Sequence, residues 1–159
     1  MIKELHFELG EFQTRLAAVK KEMAKRGIDI LLLSEPPNQN YLTGYNAYSF
    51  YTPQMVVVAQ DHAEPIWIGR FMDRVSASMT TYLSEDNIRA YPDTYVQSAT
   101  LSAYTFMADI VKELGGEKAR IGVEMGDITI RHAATPISPA HYRMPSSSTP
   151  TSLLDGSDS

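Results

Sequence analysis

The run IDILLL, residues 28–33, constrains the fold more than any other stretch of this sequence, because five of its six side chains are apolar. A strand that is apolar on both faces is typical of a sheet covered by helices on its two sides. Gly27 before the run is a typical helix stop, and Pro36 and Pro37 after it end the strand. The run therefore predicts a buried strand in an α/β fold.

Helical and strand patterns alternate on either side of this strand. Residues 12–26 have apolar side chains at three- and four-residue steps, which predicts an amphipathic helix. Two apolar runs, 54–60 and 65–69, flank a short polar loop and predict a β-hairpin. The further predicted elements are a helix marked by Phe71, Val75, Met79 and Tyr82, a strand at 88–91, a helix marked by Leu101, Tyr104, Ala108 and Val111, and a strand at 120–124. Together they predict an α/β fold, a mixed β-sheet flanked by helices.

Residues 41–51, YLTGYNAYSFY, hold five of the fifteen aromatic residues of the chain around a single glycine, Gly44. Tyrosines near the end of a strand often cover the core while the hydroxyl reaches water. Tyrosine is also a favoured residue in ligand sites and protein interfaces. The residues alone leave both interpretations open.

Charge and composition exclude several functions. The net charge is −5, which disfavours nucleic acid as a partner because phosphate binding needs a basic patch. The absence of cysteine excludes disulfides, thiolate catalysis and cysteine-based zinc sites. No stretch approaches the roughly 18 apolar residues of a membrane span, and residues 1–12 lack a secretory pattern. We therefore expect a cytoplasmic protein with no membrane partner.

Few residues form a pattern that would support catalysis or metal binding. No two histidines share the helical spacing of a metal site, and no nucleophile motif of the G-x-S-x-G type occurs. Arg70 and Asp73 follow a predicted strand, where a charged side chain can point into a cleft. The other carboxylates lie at element ends, where turn and capping roles explain them: Glu35, Asp86, Asp93, Glu124 and Asp127.

Residues 11–127 resemble the N-terminal domain of the creatinase/prolidase family of metallopeptidases, the pita-bread enzymes. The resemblance rests on the helix RLAAVKKEMAKRGID, the strand LLLS and the segment PPNQNYLTGY, which is interpreted as a turn. It continues through SFYTPQMVVV, EPIWIGRFMD, DNIRAYPDTYVQ and GVEMGD, where the sequence is similar to ectoine hydrolase and Xaa-Pro peptidase members. The family pattern Pro-x-Asn-x-x-Tyr-x-x-Gly-Tyr falls on Pro36, Asn38, Tyr41, Gly44 and Tyr45.

The resemblance implies a non-catalytic role for these residues. Full-length members use two divalent metal ions held by two Asp, one His and two Glu in a C-terminal catalytic domain, so we assign no catalytic residue, metal ligand or cofactor to this chain. In the family, the N-terminal domain packs in a dimer and lends side chains to the rim of the substrate site. By resemblance, Tyr48, Phe50, Tyr51 and Arg70 are the substrate-rim candidates, the last as an anchor for a substrate carboxylate. Tyr41 and Tyr45 are expected to close the core.

Residues 128–159 differ in composition from the rest, since 15 of the 32 are Ser, Thr or Pro. Such a composition predicts a disordered tail. Because the resemblance stops at the tail, we hypothesise a frameshift or truncation. The hypothesis would be contradicted if close relatives carried the same tail at the same place and the gene had no coding remnant downstream.

Three functions remain open. The chain is an inactive, truncated hydrolase, a stand-alone module that dimerises or binds a ligand, or one half of a split hydrolase. A homodimer or a full-length paralogue is the expected protein partner. A small-molecule or dipeptide substrate is expected only in an intact relative.

Overall fold

The fold is a five-stranded mixed sheet with helices on both faces, seen in a computed structural model that describes residues 3–124. The predicted tail, residues 128–159, lies outside the described residues. The elements are α1 (Leu9–Lys25), β1 (Ile30–Leu33), α2 (Pro36–Thr43), β2 (Met55–Ala59), β3 (Ile66–Arg70), α3 (Arg74–Thr80), β4 (Ile88–Tyr91), α4 (Ala103–Glu113) and β5 (Ile121–Val123). Short 3-10 helices cover Phe71–Asp73, Glu85–Asn87 and Asp93–Tyr95.

The strand order is β4-β3-β2-β1-β5, which confirms the predicted mixed sheet. Strand β1 pairs antiparallel with β2 and parallel with β5. Strands β2 and β3 form the predicted antiparallel hairpin, and β3 pairs parallel with β4. The apolar run at 28–33 therefore contains an internal strand, paired on both sides.

The two faces of the sheet have separate apolar cores. Helices α1, α2 and α3 cover one face, where Leu31 and Trp67 of the sheet are buried. Helix α4 covers the other face, where Ile30 and Tyr91 are buried. Neighbouring residues of β1 thus point into different cores, which is why almost every residue of the run is apolar.

Residues 36–43 form helix α2, so the prediction of a turn in this segment is wrong. Pro36 and Pro37 occupy the first helical positions, where the missing N–H has no intrahelical partner in any case. Gly44 ends the helix in the left-handed conformation, with φ of 86°. The prolines stop β1 and also start the next helix.

The helices at residues 74–80 and 103–113 confirm two further predictions, although the marked residues match their core-facing sides only in part. In α3 the buried residues are Ala77 and Ser78, whereas Val75 is exposed. In α4 the marked Val111 is buried together with Met107, whereas the marked Leu101 lies before the helix and is exposed. Apolar spacing located both helices and identified part of the sheet-facing side of α4, but it did not identify that of α3.

The loop between β2 and β3 is held by Glu64, whose Oε2 accepts hydrogen bonds from Ser84 N at 2.9 Å, Ser84 Oγ at 2.9 Å and Asn87 Nδ2 at 2.8 Å. Burial raises the pKa of Glu64, but these hydrogen bonds and Lys3 outweigh it, so the pKa lies below its ordinary value of 4.5. A carboxyl with a depressed folded-state pKa stabilises the fold above its unfolded-state pKa, and this stabilisation is lost as pH falls through the folded-state pKa.

Glu64→Gln is therefore expected to lower the free energy of unfolding by about 1 kcal/mol at pH 7 and to flatten its decline below about pH 4.5. Urea unfolding measured between acidic and neutral pH tests this. Glu117→Gln, at an exposed glutamate, is the matched control and should keep the steeper acid dependence. Equal pH profiles for the wild type and Glu64→Gln would contradict the prediction.

Candidate functional site

The aromatic segment leaves helix α2 through a sharp reversal at Gly44. Gly44 N donates to Asn40 O at 2.8 Å, and Asn40 Nδ2 donates to Gly44 O at 3.3 Å and to Tyr45 O at 3.2 Å. This turn directs Tyr45 into the core, where it is 4% exposed and its ring centroid lies 4.9 Å from that of Trp67. Burial raises the pKa of Tyr45, and the neighbouring Asp73 raises it further. Tyr45 closes the core, as predicted.

Tyr41 lies on the surface, so the prediction that it closes the core is wrong. Its side chain is 46% exposed, and its ring packs against the guanidinium of Arg15, 4.7 Å from the ring centroid. Tyr41 O also accepts a hydrogen bond from Arg15 Nη1 at 3.0 Å. Helix α2 places the Tyr41 side chain on the surface, and the turn at Gly44 then directs Tyr45 into the core. The two tyrosines therefore have different surroundings.

Gln54, just before β2, fixes the base of the loop that precedes it. Its Nε2 donates to Tyr45 Oη at 2.8 Å and to Asp73 Oδ2 at 3.0 Å. Its Oε1 accepts from Ser49 N at 3.2 Å. Gln54 is buried. One side chain therefore joins the loop, the core tyrosine and the 3-10 helix after β3.

Three of the predicted rim residues project from this loop into solvent. Tyr48, Phe50 and Tyr51 are 58%, 77% and 86% exposed. Their rings contact one another edge to face, with centroids 6.2 Å apart for Tyr48 and Phe50 and 6.1 Å apart for Phe50 and Tyr51. We call these three residues the aromatic strip. Contiguous exposed rings of this kind are typical of binding surfaces.

Arg70 lies at the same end of the sheet as the aromatic strip. Met55 pairs with Ile68 across β2 and β3, so continuing the register places Arg70 beside Pro53 at the base of the loop. Its Nε lies 2.6 Å from Asp93 Oδ1. This hydrogen bond raises the pKa of Arg70. The side chain is thus already paired with a carboxylate of its own chain.

The loop that carries the aromatic strip is also hydrogen-bonded to β4. Tyr91 Oη donates to Pro53 O at 2.7 Å, and burial raises the pKa of Tyr91 to about 12. Phe71 and Met72, which follow β3, are 57% and 65% exposed at this same end. Phe71 is therefore not a core-facing helical residue, as its spacing predicted, but an exposed residue of the 3-10 helix before α3. An apolar pair directly after a charged strand end was the available signal.

Within residues 3–124, no group of three or more His, Asp or Glu side chains is arranged to hold a metal ion. None of the helices in that range is long and apolar enough to cross a bilayer. The cytoplasmic location and the dimeric state stay predictions.

Comparison with known proteins identifies similar sequences. The family model described as the creatinase/prolidase N-terminal domain matches residues 15–135. A Sinorhizobium fredii protein called uncharacterized hydrolase/peptidase y4tM is 46% identical over 122 residues, which cover 77% of this chain and 31% of that protein. Ectoine hydrolase of Halomonas elongata is 41% identical over 122 residues, which cover 76% of this chain and 30% of the hydrolase. The chain spans about a third of the length of the curated relatives it matches.

Solved structures with the same fold are more distant in sequence. A proline dipeptidase from Streptococcus pneumoniae aligns with a TM-score of 0.60 and 19% identity, over 75% of this chain and 80% of that chain. The N-terminal domain of an Xaa-Pro dipeptidase from Lactobacillus brevis aligns with a TM-score of 0.58 and 19% identity, over 74% and 83% of the two chains. At these identities the similarity concerns the fold.

Proposed function

The chain belongs to the creatinase/prolidase N-terminal domain family, and from this premise we propose that it is the non-catalytic N-terminal domain of an amide-bond hydrolase. The membership confirms the resemblance found in the sequence. The proposal is carried by one observation: the similarity covers a single N-terminal domain and about a third of relatives named hydrolases. In this proposal the chain is inactive without a catalytic domain, and the substrate is of the Xaa-Pro dipeptide or ectoine type.

The aromatic strip is the part of this domain that meets the substrate in our proposal. Exposed rings contribute binding free energy when they become buried against a partner or ligand. The hydrogen bonds of Gln54 to Ser49 and Tyr45 hold the base of the loop, so the rings are presented from a fixed support. Arg70 would bind a substrate carboxylate through its Nη atoms, since its Nε is committed to Asp93.

The described residues do not fit the two-metal centre that the family resemblance implies. No three His, Asp or Glu side chains converge among residues 3–124, so we assign no metal-dependent step to them. In the proposed assembly the ligands of both metal ions come from the catalytic domain. The role of this chain is to bind and orient substrate at the rim.

Mixing the full chain with a separately produced catalytic domain of a relative tests the proposal. Hydrolysis of ectoine and of Xaa-Pro dipeptides is expected only when both proteins and a divalent metal ion are present. Phe50→Ala should lower kcat/KM of the mixture about tenfold, because a ring that contacts substrate contributes roughly 1–2 kcal/mol. Val75→Ala, at a residue that is 62% exposed on α3, is the control and should leave kcat/KM unchanged.

Two results would overturn the proposal. Hydrolysis by the purified chain alone would show that it carries its own catalytic residues. A defined dimer of the chain with no stimulation by any catalytic domain would favour a stand-alone binding or dimerisation module, for which the exposed aromatic strip is the supporting observation. Translating the gene past codon 127 in all three frames adds a check, because a split or broken hydrolase should retain the two Asp, one His and two Glu downstream.

A further inference from the structure

The large apolar side chains that the described part of the chain leaves in solvent are concentrated at one end of the sheet. Within residues 3–124, six of them are more than half exposed, and five of the six belong either to the aromatic strip or to Phe71 and Met72. We call these last two residues the Phe71–Met72 pair. Single exposed apolar residues are ordinary on protein surfaces, whereas a contiguous group marks a surface that another molecule covers.

The aromatic strip and the Phe71–Met72 pair lie side by side. Continuing the register of β2 and β3 to the ends of both strands places Thr52, which follows the strip directly, beside Phe71. Gln54 Nε2 donates to Asp73 Oδ2 at 3.0 Å, so the residues next to each group are also hydrogen-bonded to each other. The two groups therefore form one apolar patch.

The size and charge of this patch suit a protein partner. Burial of an aromatic side chain removes about 150–250 Å² from water, so five side chains exposed to this degree present roughly 600 Å² of apolar surface. A stable protein interface buries about 800 Å² on each partner, part of which is a polar margin. The charges beside the patch are paired within the chain, since Arg70 Nε lies 2.6 Å from Asp93 Oδ1. The patch thus favours an apolar protein surface over a charged partner.

A second copy of the chain presents a surface of the same size and chemistry. In a two-fold symmetric pair every contact occurs twice, so the interface must be complementary to itself. Two unlike groups side by side meet this condition, because the strip of each copy can lie on the Phe71–Met72 pair of the other. The flexible thioether of Met72 adapts to aromatic rings and packs favourably against them.

We propose that the chain by itself forms a two-fold symmetric dimer in which the aromatic strip of each copy packs against the Phe71–Met72 pair of the other. This dimer differs from the one that the family resemblance implies, in which rim side chains reach a substrate site. Here the strip is covered, so a catalytic domain has to displace one copy before the strip meets substrate. The dimer forms from the chain alone and does not rest on the proposed role in a hydrolase.

Sedimentation velocity of the full chain at increasing concentration tests the pairing. A dissociation constant of roughly 10 µM is expected, at the weak end for interfaces of this size. Met72→Glu and Phe50→Lys should each raise it at least about a hundredfold, because each places a charge against apolar groups. Ala63→Glu is the matched control, since it adds the same charge in the exposed loop between β2 and β3, at the opposite end of the sheet. This variant should dimerise like the wild type.

Mixing the two disrupted variants tests which group faces which. In the mixed dimer of Phe50→Lys with Met72→Glu, the introduced lysine faces the introduced glutamate in one half of the interface, while the other half keeps the original side chains. The mixture should therefore dimerise at least about tenfold more tightly than either variant alone. Both positions are exposed, so the fold should be kept, which circular dichroism checks. If either variant failed to fold, Tyr51→Lys mixed with Phe71→Glu would repeat the test.

Three results would overturn the proposal. A chain that stays monomeric up to about 1 mM would show that a second copy does not cover the patch. A dimer that survives Met72→Glu would use another surface. A mixture that stays monomeric would show that the strip does not face the Phe71–Met72 pair.

Discussion

Gly44→Ala is expected to lower the free energy of unfolding by about 3 kcal/mol. Gly44 has φ of 86°, a conformation that costs other residues about 1–2 kcal/mol. A Cβ at this position would lie 2.8 Å from Thr80 O and 3.1 Å from Phe12 Cζ. The first neighbour is backbone and the second is a fully buried ring, so neither can move aside without further cost. Urea unfolding followed by the fluorescence of Trp67 measures the change.

Gly115→Ala is the matched control, because Gly115 has a similar φ of 83° but no atom within 4 Å of an added Cβ. It should cost only the conformational part, about 1–2 kcal/mol. The difference between the two variants is the cost of the close packing of α2 against α1 and α3. If both variants lost the same stability, the approach of Thr80 and Phe12 to Gly44 would have no energetic significance, and the prediction would be wrong.

This packing also shows what the sequence could and could not predict. The IDILLL run, the hairpin and the strand at 88–91 were predicted correctly because their signals are local: apolar runs bounded by turn residues. Gly44 was noted as the single glycine of the aromatic segment, but its neighbours Phe12 and Thr80 come from two other helices. Contacts between residues so distant in the chain leave no local pattern.

The errors in secondary structure have a common cause. The two consecutive prolines indicated only the end of a strand. The first positions of a helix accept proline, however, and α2 begins at Pro36. The helix in turn places Tyr41 on the surface. For α3, Val75 has the right spacing for a core face, but small residues at Ala77 and Ser78 let this short helix lie close to the sheet. Apolar periodicity identifies a helix more reliably than it identifies the side of the helix that packs against the sheet.

The candidate site was predictable only in part. The density of aromatic residues in 41–51 marked the segment, and the family resemblance singled out the three that form the aromatic strip. The support of the strip was not visible, since Gln54 connects Tyr45, Ser49 and Asp73 through side-chain hydrogen bonds.

Glu124→Ala is expected to lower the free energy of unfolding by about 3 kcal/mol. Glu124 is 5% exposed, and its Oε2 accepts from Ser34 N at 2.9 Å and from Glu35 N at 2.8 Å. Its Oε1 accepts from Asn38 Nδ2. The residue before α2 makes no side-chain cap, so this carboxylate from the end of β5 serves the start of the helix instead. Removing it leaves three donors without their acceptor.

Glu124→Gln separates the charge from the hydrogen bonds. The glutamine oxygen can accept from Ser34 N and Glu35 N, while its NH₂ donates to Asn38 Oδ1 if that amide turns over. The expected cost is therefore only about 1 kcal/mol, the loss of a negative charge at a helix start. Glu113→Ala, which removes an exposed partner of Arg89, is the control and should cost less than about 1 kcal/mol.

Hydrogen exchange at Ser34 and Glu35 shows where the stability is lost. Glu124→Ala should speed exchange of these two amides more than that of the hairpin between β2 and β3, because the carboxylate is their direct acceptor. Uniform acceleration would instead mean that β5 itself has detached from β1. In the first case, a side chain that follows the edge strand sets the position of α2.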